Sequence, residues 1–363
     1  MNGRTGGWLL GAPALFLSVE LLGTVGAPCQ ESHVTAARRA ASIPVIRTYP
    51  PPPTGFRALE ATAEQRARYG IPSPPGQHSG RGYSIWREIF VRSLTYVTPK
   101  YNVEAIKGRP LFKGPQPRTF GGTVQTQQSA GLSASSSLGY EEVAARWIVP
   151  VPLQNGTSLV GISISNNDSV PTFIGTSQSM TCRPACPGPA SYAAVIGVGV
   201  ISVPLYDFPV NPGDVMMGFL QTGFGSQGNE VIATIVNLNL NSATEISVSF
   251  AGLATGVEFG AQTAYTFQPC RNRFCAPAAL PFPSHAGVWF WDMTVCGPGA
   301  PCAGAADAQT AYQLVNMTGT YGNLSLVVQQ CGTSSIGSQP ATTDYADSWM
   351  LISWASVALP NGC

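Results

Sequence analysis

After residue 119 the chain carries twelve carboxylates, eight cysteines and a single histidine, the groups best suited there to acid, base or metal chemistry. Asp292 is the most suggestive, because it closes the run Trp289-Phe290-Trp291-Asp292. A carboxyl held among large aromatics resists ionisation and can act as an acid. A strand-edge aspartate facing water is the plainer expectation. Trp289 and Trp291 fall on one face of a strand, where such a pair either stacks on sugar rings or fills a core. Asp168 and Asp214 lie in turn sequences and are expected to be turn formers. Glu141-Glu142 precede a strand and are expected to form a solvated face. His285 has no partner close in sequence, and there is no Gly-x-Ser-x-Gly elbow, so no hydrolase triad is legible and no catalytic residue is assigned.

The cysteines fall into close pairs: Cys182 with Cys186, Cys270 with Cys275, Cys296 with Cys302, and Cys331 with Cys363. Short loops between the first three pairs suit local disulfides, although eight cysteines allow 105 connectivities. The spacings are not Cys-x2-Cys repeats and histidine is scarce, so neither a metal nor a cofactor is expected. Asn155, Asn167, Asn316 and Asn323 stand in Asn-x-Ser/Thr sequons, which fit a secreted surface where the host glycosylates.

Short strand-like runs must position these groups. Ala144–Val149, Ser158–Ile164, Ala193–Val203, Val215–Gln221, Glu230–Leu240 and Glu245–Phe250 are the first six. Val288–Val295, Tyr312–Asn316, Leu324–Val328 and Trp349–Trp354 follow. In Glu230–Leu240 the residues Val231, Ala233 and Ile235 alternate with Ile232, Thr234 and Val236. About ten strands divided by Gly, Pro and Asn turns, almost without helical periodicity, argue for an all-β fold. The expected architecture is a two-sheet antiparallel jelly-roll, concanavalin-like sandwich with a partly ordered N-terminal leader.

Charge divides the chain. Residues before 119 carry 15 Lys+Arg against 6 Asp+Glu, whereas the rest carries 4 Arg, no Lys and 12 Asp+Glu. The acidic part lacks the basic clusters that phosphate contacts need, and the leader's Arg residues are scattered, so nucleic acid is not expected as a partner. Residues 1–27 have the form of a secretory signal: Arg4, the apolar stretch Trp8–Val19, and small residues Val25-Gly26-Ala27. A secreted, extracellular location follows, and no later run is apolar enough to span a membrane in the mature chain. Residues 28–118 form a basic, Pro-rich, propeptide-like leader, and 119–363 the sandwich. Within the leader Ala61–Gly70 is a short helix candidate capped by Thr62 and stopped by Gly70. Tyr83–Val97 is a strand or an amphipathic turn. The leader as a whole is expected to be an adaptor or propeptide rather than a packed domain.

The order of several segments resembles the eqolisins, the secreted glutamic peptidases. Thr119–Val124 is similar to that family's opening Asn-Trp-(Ser/Gly)-Gly motif, and Val143–Pro150 to its second strand. Leu159-Val160-Gly161-Ile162 stands where the family has Trp-Val-Gly-Ile-Asp-Gly. Phe208–Asp214, Ala233–Leu238 and Ser348–Trp354 match later elements, and Arg68–Pro72 looks like the propeptide signature of the group. The resemblance implies a β-sandwich with a concave face and a glutamate–glutamine pair. The glutamate takes a proton from water, and the glutamine donates to the oxyanion.

Both positions are altered here. The stretch Thr172–Thr176 places Phe173 where the glutamine belongs, with Gln178 five residues on. The stretch Ala264–Pro269 is matched to the family's Ala-Glu-(Phe/Trp)-Ile-x-Glu strand and holds Tyr265 and Gln268 but no carboxylate. Tyr192–Val198 replaces an acidic, aromatic strand, and Ser163 an aspartate. The expected function is a non-catalytic extracellular domain binding a peptide, glycan or protein on its concave face. Phe173, Gln178, Tyr265, Gln268, Asp292, Trp289 and Trp291 are its cleft candidates. One alternative is an active acid endopeptidase, whose basic leader clamps the acidic domain at neutral pH and lets go as carboxylates protonate. The other is a carbohydrate-binding or surface-coat protein.

Overall fold

The computed structural model describes residues 45–75, 81–101, 123–126, 129–135, 137–165, 171–182, 185, 188–198, 201–224, 228–250, 252–263, 265–266, 278–279, 287–297, 303–304, 312–321, 324–331 and 349–354. The leader contributes β1 (Ile46–Thr48), α1 (Ala63–Arg68), α2 (Arg81–Phe90) and β2 (Thr95–Tyr96). The strands β3 (Thr123–Thr126), β4 (Ser129–Ser135), β5 (Glu142–Ile148), β6 (Gly156–Ser165), β7 (Thr172–Met180), β8 (Ala190–Val198) and β9 (Ile201–Leu205) follow. Then come β10 (Val215–Phe224), β11 (Glu230–Asn237), β12 (Ser242–Ser249), β13 (Gly256–Thr263), β14 (Tyr265–Thr266) and β15 (Ala278–Ala279). The last are β16 (Val288–Cys296), β17 (Ala303–Gly304), β18 (Tyr312–Tyr321), β19 (Leu324–Cys331) and β20 (Trp349–Trp354).

The fold is an all-β sandwich of two mainly antiparallel layers. One layer is the ladder β12–β11–β10–β5–β16. The other is β4–β13–β6–β7–β8–β9. Strands β20, β19 and β18 carry hydrogen bonding from β16 round to β4. Inward residues of both layers form one core, including Val143, Trp147, Met216, Ile235 and Ile246 from the first and Ile162, Ile174, Ile196 and Phe259 from the second. Trp147 reaches across and donates from its indole nitrogen to Thr176 Oγ1 at 3.2 Å. A side chain at Gly218 would meet both Trp147 and Ile162, so the layers interlock there without room for a methyl group.

The described leader is packed rather than loose. Helix α1 forms where expected: Thr62 caps it, Gln65 completes a reciprocal capping box, and Gly70 leaves it at φ +70°. The Tyr83–Val97 stretch corrects the expectation of a strand or turn, because most of it is the helix α2. Ile85, Trp86, Ile89 and Phe90 recur at helical spacing and bury one stripe. That stripe rests on the first layer's outer face, against Ala144, Met217, Phe219, Val236 and Ala243. Strand β1 adds to β12 antiparallel, and β2 adds to β12 in parallel. This cover is why both sides of β11 are buried along its whole length. The apolar stretch Ala193–Val203 proves to be two strands, β8 and β9.

Candidate functional site

Side-chain alternation gives each layer an outer face, and the two differ. On the second layer, the register aligns Ser133, Glu258, Ser163, Phe173 and Gly197 in one row. The next row is Gly131, Gly260, Gly161, Gly175 and Val195. A third is Ser129, Gln262, Leu159, Ser177 and Ala193. Leu159, Phe173 and Val195 form their own small apolar cluster, separate from the core. The Phe173 ring lies over Gly175, and a side chain at Gly197 would approach Phe173 Cβ to 2.9 Å. The glycines therefore make room for an aromatic ring on this face. Around it Ser163 and Ser133 are buried, while Ser177, Glu258 and Gln262 are partly exposed.

The sequence candidates do not all meet here. Phe173 does. Gln178 does not: it is fully buried on the core side of β7, where it accepts from Ser158 and donates to Thr176. The strand's two-residue period dictates this, since Phe173 and Gln178 are an odd number of residues apart. Tyr265 pairs with Ala279 in the two-stranded β14–β15 sheet, and Gln268 lies outside the described residues. Asp292, Trp289 and Trp291 belong to the other layer. Asp292 is buried, not facing water; it sits in a β-bulge at φ +52° with its carboxylate 3.1 Å from Arg146 Nε. Arg146 also holds Glu88 of α2 at 2.6 Å. Trp289 and Trp291 are half-buried on that layer's outer face, with Trp291 opposite Arg146 in register.

Two residues of the second layer's outer face, Glu258 and Gln262, were missed. The matched stretch Ala264–Pro269 begins at the end of β13, whereas β13 itself reads Val257-Glu258-Phe259-Gly260-Ala261-Gln262. This has the glutamate and aromatic of the Ala-Glu-(Phe/Trp)-Ile-x-Glu pattern, and glutamine in place of its last glutamate. The Glu-Phe dipeptide was the available signal. Four residues along a strand separate Glu258 from Gln262 by about 13 Å, so the two cannot share one water.

A second carboxyl–amide pair lies on the first layer. Gln221 Nε2 donates to Glu142 Oε2 at 3.1 Å. The same amide pairs with the leader: Ser73 N donates to Gln221 Oε1 at 2.9 Å, and Gln221 Nε2 donates to Ser73 O at 3.0 Å. Glu142 is buried, not on a solvated face. Burial pushes its carboxyl up to about 8, against the lowering effect of the Gln221 hydrogen bond and with a smaller push from Glu141.

Cys182, Cys296 and Cys331 are among the described residues, and Cys186, Cys270, Cys275, Cys302 and Cys363 lie outside them, as do the disulfide pairings that involve them. Asn155 is exposed in the turn before β6, and Asn316 lies within β18; Asn167 and Asn323 fall outside the described residues. Among the described residues no cluster of three or more His, Cys, Asp or Glu could hold a metal ion, and no helix is long and apolar enough to cross a membrane.

No family model matches the chain, and no curated protein matches it. Solved structures do. Scytalido-glutamic peptidase with a transition-state analog inhibitor superposes with a TM-score of 0.46 at 16% identity, over 63% of this chain and 98% of that one. SCP-B, a member of the eqolisin family of peptidases solved with the tripeptide Ala-Ile-His, gives 0.44 at 16% identity, over 64% and 100%. Tailspike protein 2 of bacteriophage CBA120 gives 0.20 at 14% identity, over 47% and 22%.

Proposed function

We propose that the chain is a secreted, non-catalytic binding domain on a glutamic-peptidase-like sandwich, and that the second layer's outer face takes an extracellular peptide, glycan or protein. One observation carries the reading. Where the resemblance calls for an oxyanion donor there is Phe173, packed with Leu159 and Val195, and where it calls for a general base there is Gln262. A phenyl ring cannot donate to an anion, and a carboxamide cannot accept a proton from water at any ordinary pH. What remains suits binding: an apolar cluster bordered by serines, one carboxyl and one carboxamide.

The alternative of an active acid endopeptidase could draw on the hydrogen-bonded glutamate–glutamine pair Glu142 with Gln221. A carboxyl raised to about 8 stays protonated in acid and cannot serve there as a base. Its amide partner is already engaged by Ser73.

The test is binding of the purified chain to a random peptide library and to a glycan array, compared with Ser177→Arg, which puts a long cation beside Leu159. Saturable binding weakened tenfold or more in the variant is expected. No binding on either array, or binding indifferent to the substitution, overturns the proposal.

A further inference from the structure

The leader lies on a face that is both apolar and acidic. Three rows of the first layer's outer face run beneath it. The first is Ser247, Ile232, Gln221, Glu142 and Cys296; the second is Glu245, Thr234, Phe219, Ala144 and Thr294. The third is Ala243, Val236, Met217, Arg146 and Trp291. Each acidic group on this face is met by the leader, directly or through one intermediary. Arg47 of β1 holds Glu230 at 2.9 Å, and Glu88 of α2 shares Arg146 with Asp292. Ser73 closes over the Gln221–Glu142 pair. Glu245 is buried beside Thr234, which donates to it, and lies near the phenols of Tyr96 and Tyr49.

We propose that residues 45–101 form a pH-sensitive latch over this face, held closed in acid and loosened in mild alkali through Glu142 and Glu245 beneath it. Both carboxyls are enclosed, and among the described residues neither faces a cation. Glu142 meets Gln221, Cys296 Sγ at 3.8 Å and the neighbouring Glu141; Glu245 meets Thr234, and its charge is felt by the phenols of Tyr96 and Tyr49. Burial raises Glu142 to about 8 and Glu245 well above the ordinary value of 4.5. A carboxyl harder to ionise when covered than when free is stabilised by its cover in acid. That contribution is complete below about 4.5 and is lost as pH climbs through the covered value.

The remaining charges do not reverse this. Burial pushes Glu88 up, but the hydrogen bond and charge of Arg146, with Arg92 behind, outweigh it and hold Glu88 below its ordinary value. Glu88 therefore stays ionised beside Arg146 across the range concerned. Burial pushes the Tyr49 and Tyr96 phenols further up, above the range concerned. The expected direction is opposite to that of a leader shed in acid.

Hydrogen exchange of the full chain at pH 6 and pH 9, corrected for intrinsic rates, reads the latch through the amides of α2. Their opening constant is expected to rise about tenfold or more from pH 6 to pH 9, while amides of β6 in the other layer change little. Glu142→Gln keeps the hydrogen bond to Gln221 and is expected to flatten the rise; Glu142→Gln with Glu245→Gln flattens it further. Glu88→Gln is expected to leave it unchanged. Opening that is flat or falls with pH, the same rise in Glu142→Gln, or β6 amides opening in step with α2 overturns the proposal. If the double variant does not fold, Glu142→Gln alone decides.

Discussion

Arg146 enters the leader interface with 13% of its side chain exposed and has a carboxylate on each side. The two pairings are unequal. Asp292 is only 6% exposed, so its charge has little water to fall back on, whereas Glu88 is 46% exposed. Arg146→Met leaves Asp292 buried without its cation and is expected to cost about 3–5 kcal/mol. Glu88→Ala is expected to cost about 0–1 kcal/mol. Urea denaturation of both variants checks the ranking, and equal losses would contradict it. The sequence marked Asp292 as unusual because it follows three aromatics, but its partner was not legible. Arg146 lies in a segment far away along the chain, and only the register of β5 against β16 brings them together. Glu258 and Gln262 were hidden for a different reason: their strand is rich in Gly and Ala, so it lacked the β-branched run that signals a strand.

At the scale of elements, the alternation in Glu230–Leu240 was read correctly, with Val231, Ala233 and Ile235 in the core. That its other side is also buried depends on α2, and nothing local to β11 announces a helix docked on it. The α2 segment itself carries its stripe at Ile85, Trp86, Ile89 and Phe90 over barely three turns, too short a window for the period to stand out. Trp86 is the anchor of this element. It is 2% exposed, its indole donates to Pro72 O at 3.1 Å, and it packs on Phe90, which in turn approaches Phe219 of β10. Trp86→Ala is expected to weaken leader docking by about 3–5 kcal/mol. Limited proteolysis should then cut within 81–101 in the variant and spare the parent chain. Equal resistance of the two would show that α2 contributes little.

For the molecule as a whole, composition and turn spacing were enough for a two-layer β-sandwich, because few residues could form long helices and many short apolar runs demanded two faces. The charge division between leader and sandwich was equally legible. Its consequence was not, since counting charges treats every carboxylate as solvated, and the leader meets the sandwich partly over carboxyls that burial makes harder to ionise. The proposed function rests on a phenyl ring, Phe173, and a carboxamide, Gln262, standing where the resemblance calls for an oxyanion donor and a general base. Digestion of unfolded casein by the purified chain between pH 3 and pH 6 tests that most directly. No hydrolysis above a protein-free blank is predicted; turnover that disappears on Glu258→Gln or Glu142→Gln would contradict it.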